Sequence, residues 1–157
     1  MRGNDDIIEL LNVVLTAELT AVNQYFLHAK MMDNWGYRRL GRHTRDESID
    51  EMKHAEVVAE RILYFEGIPN FQRLFPLRIG ETVPEQFRSD LELEHTAVER
   101  LNRGIAAARE AGDNGTRDLL ERILVSEEEH IDWLETQLET IAQIGTEHYL
   151  AQQLHDE

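Results

Sequence analysis

Two stretches decide how this chain folds: Glu47-Ser48-Ile49-Asp50-Glu51-Met52-Lys53-His54-Ala55 and Glu127-Glu128-Glu129-His130-Ile131-Asp132-Trp133-Leu134-Glu135. Each carries Glu-x-x-His, and residues three apart share one face of a helix. Steps of seven return to nearly the same face and extend each row in both directions. The row through Glu51 is Thr44–Glu51–Val58–Phe65, and the row through Glu127 is Leu120–Glu127–Leu134–Ile141. Two more rows have the same form: Leu11–Glu18–Tyr25–Met32 and Phe87–Glu94–Leu101–Ala108. Each is an apolar helix face with one glutamate near its middle.

Around these rows the apolar spacing predicts four long helices, over about 5–34, 40–66, 83–111 and 116–144, and a short last helix within 146–154. Gly36 and Gly41 bracket a first turn, and Gly112-Asp113-Asn114-Gly115 is a second. Gly67 and Gly145 are natural helix stops, while Thr82 and Glu85 form a capping box with Pro84 at an early helical position. The short turns make two antiparallel hairpins. The segment from Gly67 to Val83, with Pro69, Pro76 and Gly80, is too long for a turn. At about 3.3 Å per extended residue it reaches the full length of a helix. The expected fold is all-α: a ferritin-like four-helix bundle of two antiparallel hairpins and one long crossover, with a short C-terminal fifth helix.

The chain has 157 residues and no cysteine, which suits one domain over 1–157. Without cysteine there is no disulfide, thiolate metal site or thiol catalyst. Thirty-one acidic against 16 basic residues give a net charge of −15. Such a chain repels nucleic acid and anionic membranes and attracts cations. No basic start with an apolar segment behind it is visible, and no apolar run suffices to span a bilayer. A cytoplasmic protein is the expectation.

Four glutamates on bundle-facing rows pose an electrostatic problem. Burying one ionised carboxylate costs several kcal/mol unless it is paired or binds metal. Four converging would repel one another, so a cation is required. His54 and His130 complete a pattern that repeats: Glu18 to Glu51 is 33 residues, Glu94 to Glu127 is 33, and the second set follows the first by 76. Each hairpin supplies a Glu and then Glu-x-x-His. Glu18, Glu51, His54, Glu94, Glu127 and His130 form the ligand set of a dinuclear carboxylate centre, and their O/N donors suit iron or manganese. A third Glu-x-x-His, Glu92 and His95, has Glu85 and Glu99 as heptad neighbours and belongs to a solvated face.

Glu-Leu-Thr-Ala-Val-Asn-Gln-Tyr-Phe-Leu-His at 18–28, the two Glu-x-x-His stretches, and Arg-Ile-Leu…Glu-Gly-Ile-Pro-Asn at 61–70 resemble the bacterioferritins over essentially the whole chain. The resemblance implies a hollow homo-oligomer of 24 subunits, built from dimers, that oxidises Fe(II) with O2 or peroxide and stores a ferric mineral. It implies that Glu51 and Glu127 bridge the two irons while Glu18 and Glu94 each cap one. It also implies haem b shared between two subunits, with Met52 as axial ligand and Leu19, Asn23 and Phe26 beside it, and an electron-donor ferredoxin for iron release. Asp50 corresponds to a cavity-surface iron ligand of some relatives, but Asp46 stands where its histidine partner would be. Tyr25 is placed to hydrogen-bond a ligand carboxylate or give up an electron, and Trp133 reads as packing. The rival reading is a rubrerythrin-like di-iron peroxide reductase or another di-metal carboxylate oxidase; the lack of cysteine argues against the former.

Overall fold

Asn4 starts the first helix: its side chain accepts from the Asp6 amide at 2.8 Å, and Asp5 and Asp6 favour the positive helix start. In the computed structural model, which describes residues 1–155, five helices follow. They are α1 (Asp5–Asn34), α2 (Arg38–Tyr64), α3 (Val83–Glu110), α4 (Asn114–Ile144) and α5 (Thr146–Ala151). Hairpins α1–α2 and α3–α4 pack together through α1 against α3 and α2 against α4. This is the expected four-helix bundle.

Two glycines play other parts than the spacing suggested. Gly41 does not close a turn; it lies inside α2, where a Cβ would collide with the Asp33 carboxylate at the end of α1. Gly67 is not the left-handed stop of α2 either. That conformation falls on Glu66 (φ 64°), while a Cβ on Gly67 would stand 2.8 Å from the Ile8 side chain and 3.0 Å from that of Ile62. Both positions need a small residue because elements approach closely. Thr82 caps α3 by accepting from the Glu85 amide, but Glu85 returns its carboxylate to the Glu81 amide rather than to Thr82.

Every member of the four heptad rows is buried except Ile141, which is half-buried. The rows separate the core into two apolar clusters. One joins Ile7, Leu11, Leu15, Val58, Ile62 and Leu120; the other joins Met32, Leu40, Phe87, Leu134 and Tyr149. Each buried Leu, Ile or Phe stabilises the bundle by roughly 1.5–3 kcal/mol. The four central glutamates lie between the clusters along the helix axes.

The crossover between α2 and α3 has no helix or strand, yet several of its backbone groups are paired. It runs along α1, whose polar side chains take its groups in order. Asn12 bonds the backbone of Ile68 and Asn70, Thr20 accepts from Phe75, Gln24 from Arg78, and His28 from Gly80 at 3.0 Å. Because the Gly80 amide donates to His28 Nε2, the ring proton sits on Nδ1 and goes to Asp90 at 2.9 Å. Gln24 Nε2 donates to the same Asp90 oxygen at 2.8 Å. One buried carboxylate on α3 thus fastens α1, and through it the crossover. Asp90→Ala strands two buried donors, each costing about 1–3 kcal/mol. We expect a clearly lowered melting temperature by calorimetry; an unchanged one would show that the clamp holds nothing.

Candidate dinuclear metal centre

The helix rows bring all six sequence-derived ligands together. Glu18, Glu51, His54 and Glu127 offer donor atoms within 4.8 Å of one another, and so do Glu51, Glu94, Glu127 and His130. Glu51 and Glu127 belong to both groups. That sharing is the geometry of two adjacent cation positions with two carboxylates between them. His54 Nδ1 lies 3.5 Å from Glu18 and Glu51 oxygens and 3.3 Å from Glu127. His130 Nδ1 lies 3.1 Å from Glu51, 3.3 Å from Glu94 and 3.7 Å from Glu127.

These residues fit a metal by a test independent of spacing. Among the described residues, seven buried side-chain N or O atoms lack a hydrogen-bond partner. Six of them are Glu18 Oε2, both Glu51 oxygens, His54 Nδ1, Glu94 Oε2 and Glu127 Oε1. A native core leaves few such atoms orphaned, and clustering them here leaves them for an ion. Imidazole with hard carboxylate oxygens suits iron or manganese.

The electrostatics agree. Burial pushes Glu51, Glu94 and Glu127 well above the usual carboxylate range, and neighbouring carboxylates push them further. Burial acts to lower His54, but the close, negatively charged Glu127 and Glu18 carboxylates outweigh it and raise it to about 10. His130 is raised to about 9 in the same way, with Glu94 the foremost partner. Without metal the cluster therefore holds protons where a cation would sit. The Tyr25 hydroxyl donates to Glu94, and burial followed by the Glu94 charge keeps it protonated.

Other expected residues occupy varied places. Asp50 is half-exposed, with Oδ2 3.7 Å from His130 Nε2. Met52 is 44% exposed, outside the chain's own core, and Phe26 is 48% exposed. Leu19 does not share that outer side: it is packed in the core cluster around Leu15. Asn23 is exposed and donates to its own helix at Leu19. Trp133 packs, as expected, stacked on His43 with ring centres 3.7 Å apart and edge-on to Phe87. Glu92 and His95 are exposed.

Glu47 escaped the sequence reasoning. It is buried, takes His43 Nε2 at 2.7 Å and lies 3.2 Å from His130 Nδ1. Its signal was its place four residues before Glu51, on the same face; Asp90 stands likewise four before Glu94.

Residues 8–144 match the ferritin-like domain, which sets the class. Within that class, the bacterioferritin of Mycolicibacterium paratuberculosis is 54% identical over 152 residues, covering 97% of this chain and 96% of that protein. Bacterioferritin BfrA of Mycobacterium tuberculosis is 55% identical over the same shares. The bacterioferritin of Brucella melitensis is 45% identical, over 95% of this chain and 92% of that protein. The chain belongs to the bacterioferritin family, multi-subunit proteins of iron storage. No helix among the described residues is long and apolar enough to cross a membrane.

The raised histidines set a direction for pH. Both folded values exceed the unfolded value of about 6.5, so the metal-free fold gains their contribution fully below that pH and loses it as pH rises through about 9 and 10. Metal needs deprotonated imidazole, so its affinity rises over the same window. Adding Zn(II) to metal-free protein at pH 7 in weak buffer is expected to release protons, read with an indicator dye. Binding without proton release would contradict the assigned charge states.

Proposed function

We propose that the six-residue cluster is a ferroxidase centre: it takes two Fe(II) ions as substrate and passes Fe(III) to a stored mineral. The observation that supports this best is that Glu51 and Glu127 belong to both four-residue groups. Adjacent cations let one oxidant draw two electrons at once. Hydrogen peroxide takes one electron from each Fe(II) and two protons, leaving two waters; dioxygen taking the same pair and two protons leaves peroxide. Hard carboxylate oxygens favour the higher iron charge, which drives the oxidation. Tyr25 holds Glu94 by its hydroxyl and so fixes one ligand's orientation.

The same proposal covers assembly and cofactor. Twenty-four copies of the chain, each a single di-iron domain in the cytoplasm, build the shell. Met52 from each of two chains would hold haem b, and a ferredoxin would supply electrons for release. The half-exposed Met52 thioether fits a shared site, since its own chain leaves it open. When bound, haem supplies electron transfer, and thioether ligation favours its reduced state. The strongly acidic surface draws Fe(II) towards the shell.

Glu94→Ala and His130→Ala are expected to slow Fe(II) oxidation by at least about tenfold while assembly, read by size exclusion, stays intact. His95→Ala, at the exposed Glu-x-x-His, is expected to oxidise at the parent rate. Equal loss in all three would overturn the assignment of faces. Met52→Leu nearly conserves volume, so packing changes by less than about 1.5 kcal/mol. It is expected to abolish the haem absorption bands and keep oxidation; a full haem spectrum would exclude Met52 as the ligand.

A further inference from the structure

A cavity of about 220 Å³ opens between α1, α3 and the crossover, and its floor reaches Glu18, Glu51 and Glu127. Its walls combine small and polar side chains from α1 and α3, among them Thr20 and Thr96, with Phe75 of the crossover. Three charged side chains line it above the floor. Arg78 and Glu92 form an ion pair with each other and cancel. The third, Arg100, has no carboxylate partner among the described residues.

Arg100 is nevertheless held in place. Its guanidinium lies over the Phe75 ring at 5.0 Å from the centroid, and it is half-buried on α3. Burial and the Arg103 charge act to lower its proton affinity, while Glu18 acts to raise it. The aromatic contact fixes where this cation's charge is felt in a chain of net charge −15. Above the glutamate floor, with Arg78 and Glu92 cancelling each other, Arg100 is the uncancelled charge of the cavity. A fixed positive charge in a narrow, low-dielectric passage repels a divalent cation and leaves a neutral molecule untouched.

Resting on the ferroxidase reading, we propose that Arg100 is a charge filter that reserves this cavity for the neutral oxidant, dioxygen or hydrogen peroxide, and turns Fe(II) away from it. Arg100 is thus a specificity-determining residue: it decides which substrate reaches the Glu18 side of the centre.

The test separates charge from space. Co(II) uptake by metal-free protein is followed by stopped-flow absorbance. Arg100→Met is expected to speed uptake at low ionic strength, on the order of tenfold, with the difference vanishing near 0.5 M salt as screening takes over. Arg100→Lys keeps the charge and is expected to match the parent. Thr96→Trp, at an exposed rim position, fills the cavity; it is expected to raise the apparent KM for hydrogen peroxide severalfold and leave two Co(II) bound per chain. Unchanged Co(II) uptake in Arg100→Met would overturn the filter. An unchanged peroxide KM in Thr96→Trp would overturn the cavity as the oxidant's path. Parent protein that binds no Co(II) would instead overturn the ferroxidase reading, and this inference with it.

Discussion

Four buried carboxylates meet in the core of the bundle, and the rest of the molecule accommodates that constraint. Ionised and unpaired, they would drive the helices apart. Two apolar clusters, one on each side along the helix axes, supply the cohesion that holds them. Two histidines lend protons when no cation is present. The site is therefore kept assembled but unsatisfied, which is the condition for binding cations tightly without waiting for the fold to form.

Precision comes from polar ties between α1 and α3 rather than from apolar packing. Gln24 and His28 converge on Asp90, and one helical turn further along α3 Tyr25 reaches Glu94. The same α1 side chains carry the crossover on their other polar atoms. A single helix thus ties Glu94 to the side of the bundle that carries Glu18 and also positions the loop that lines the cavity above Glu18. Without regular structure of its own, the loop gives the amides of Asn70, Phe75, Arg78 and Gly80, in order, to α1 side chains, two of which also reach α3.

Much of this was legible in the sequence because helical periodicity is a strong constraint over 30 residues. Leu11, Glu18, Tyr25 and Met32 had to share a face, and all are buried. The ligand set followed from the same arithmetic, since a glutamate on a buried face has few explanations. Glycine roles were less legible: Gly41 and Gly67 serve close contacts between elements, which local patterns do not reveal. Leu19 is buried, while Asn23 and Phe26 are exposed, a difference of depth that helix spacing does not give. Glu47 and Asp90 stand on the faces of Glu51 and Glu94, but the groups that they and Arg100 meet come from other helices and the crossover, and single-helix spacing does not name those partners.

The central claim is that two cations lie side by side, sharing Glu51 and Glu127. Anomalous diffraction from crystals of the assembled protein loaded with Co(II) tests it most directly. Two peaks are expected within each chain, one against Glu18 and His54, the other against Glu94 and His130, with the Glu51 and Glu127 carboxylates between them. A single peak in the bundle, or peaks found only at the exposed Asp46 and Asp50, would contradict it.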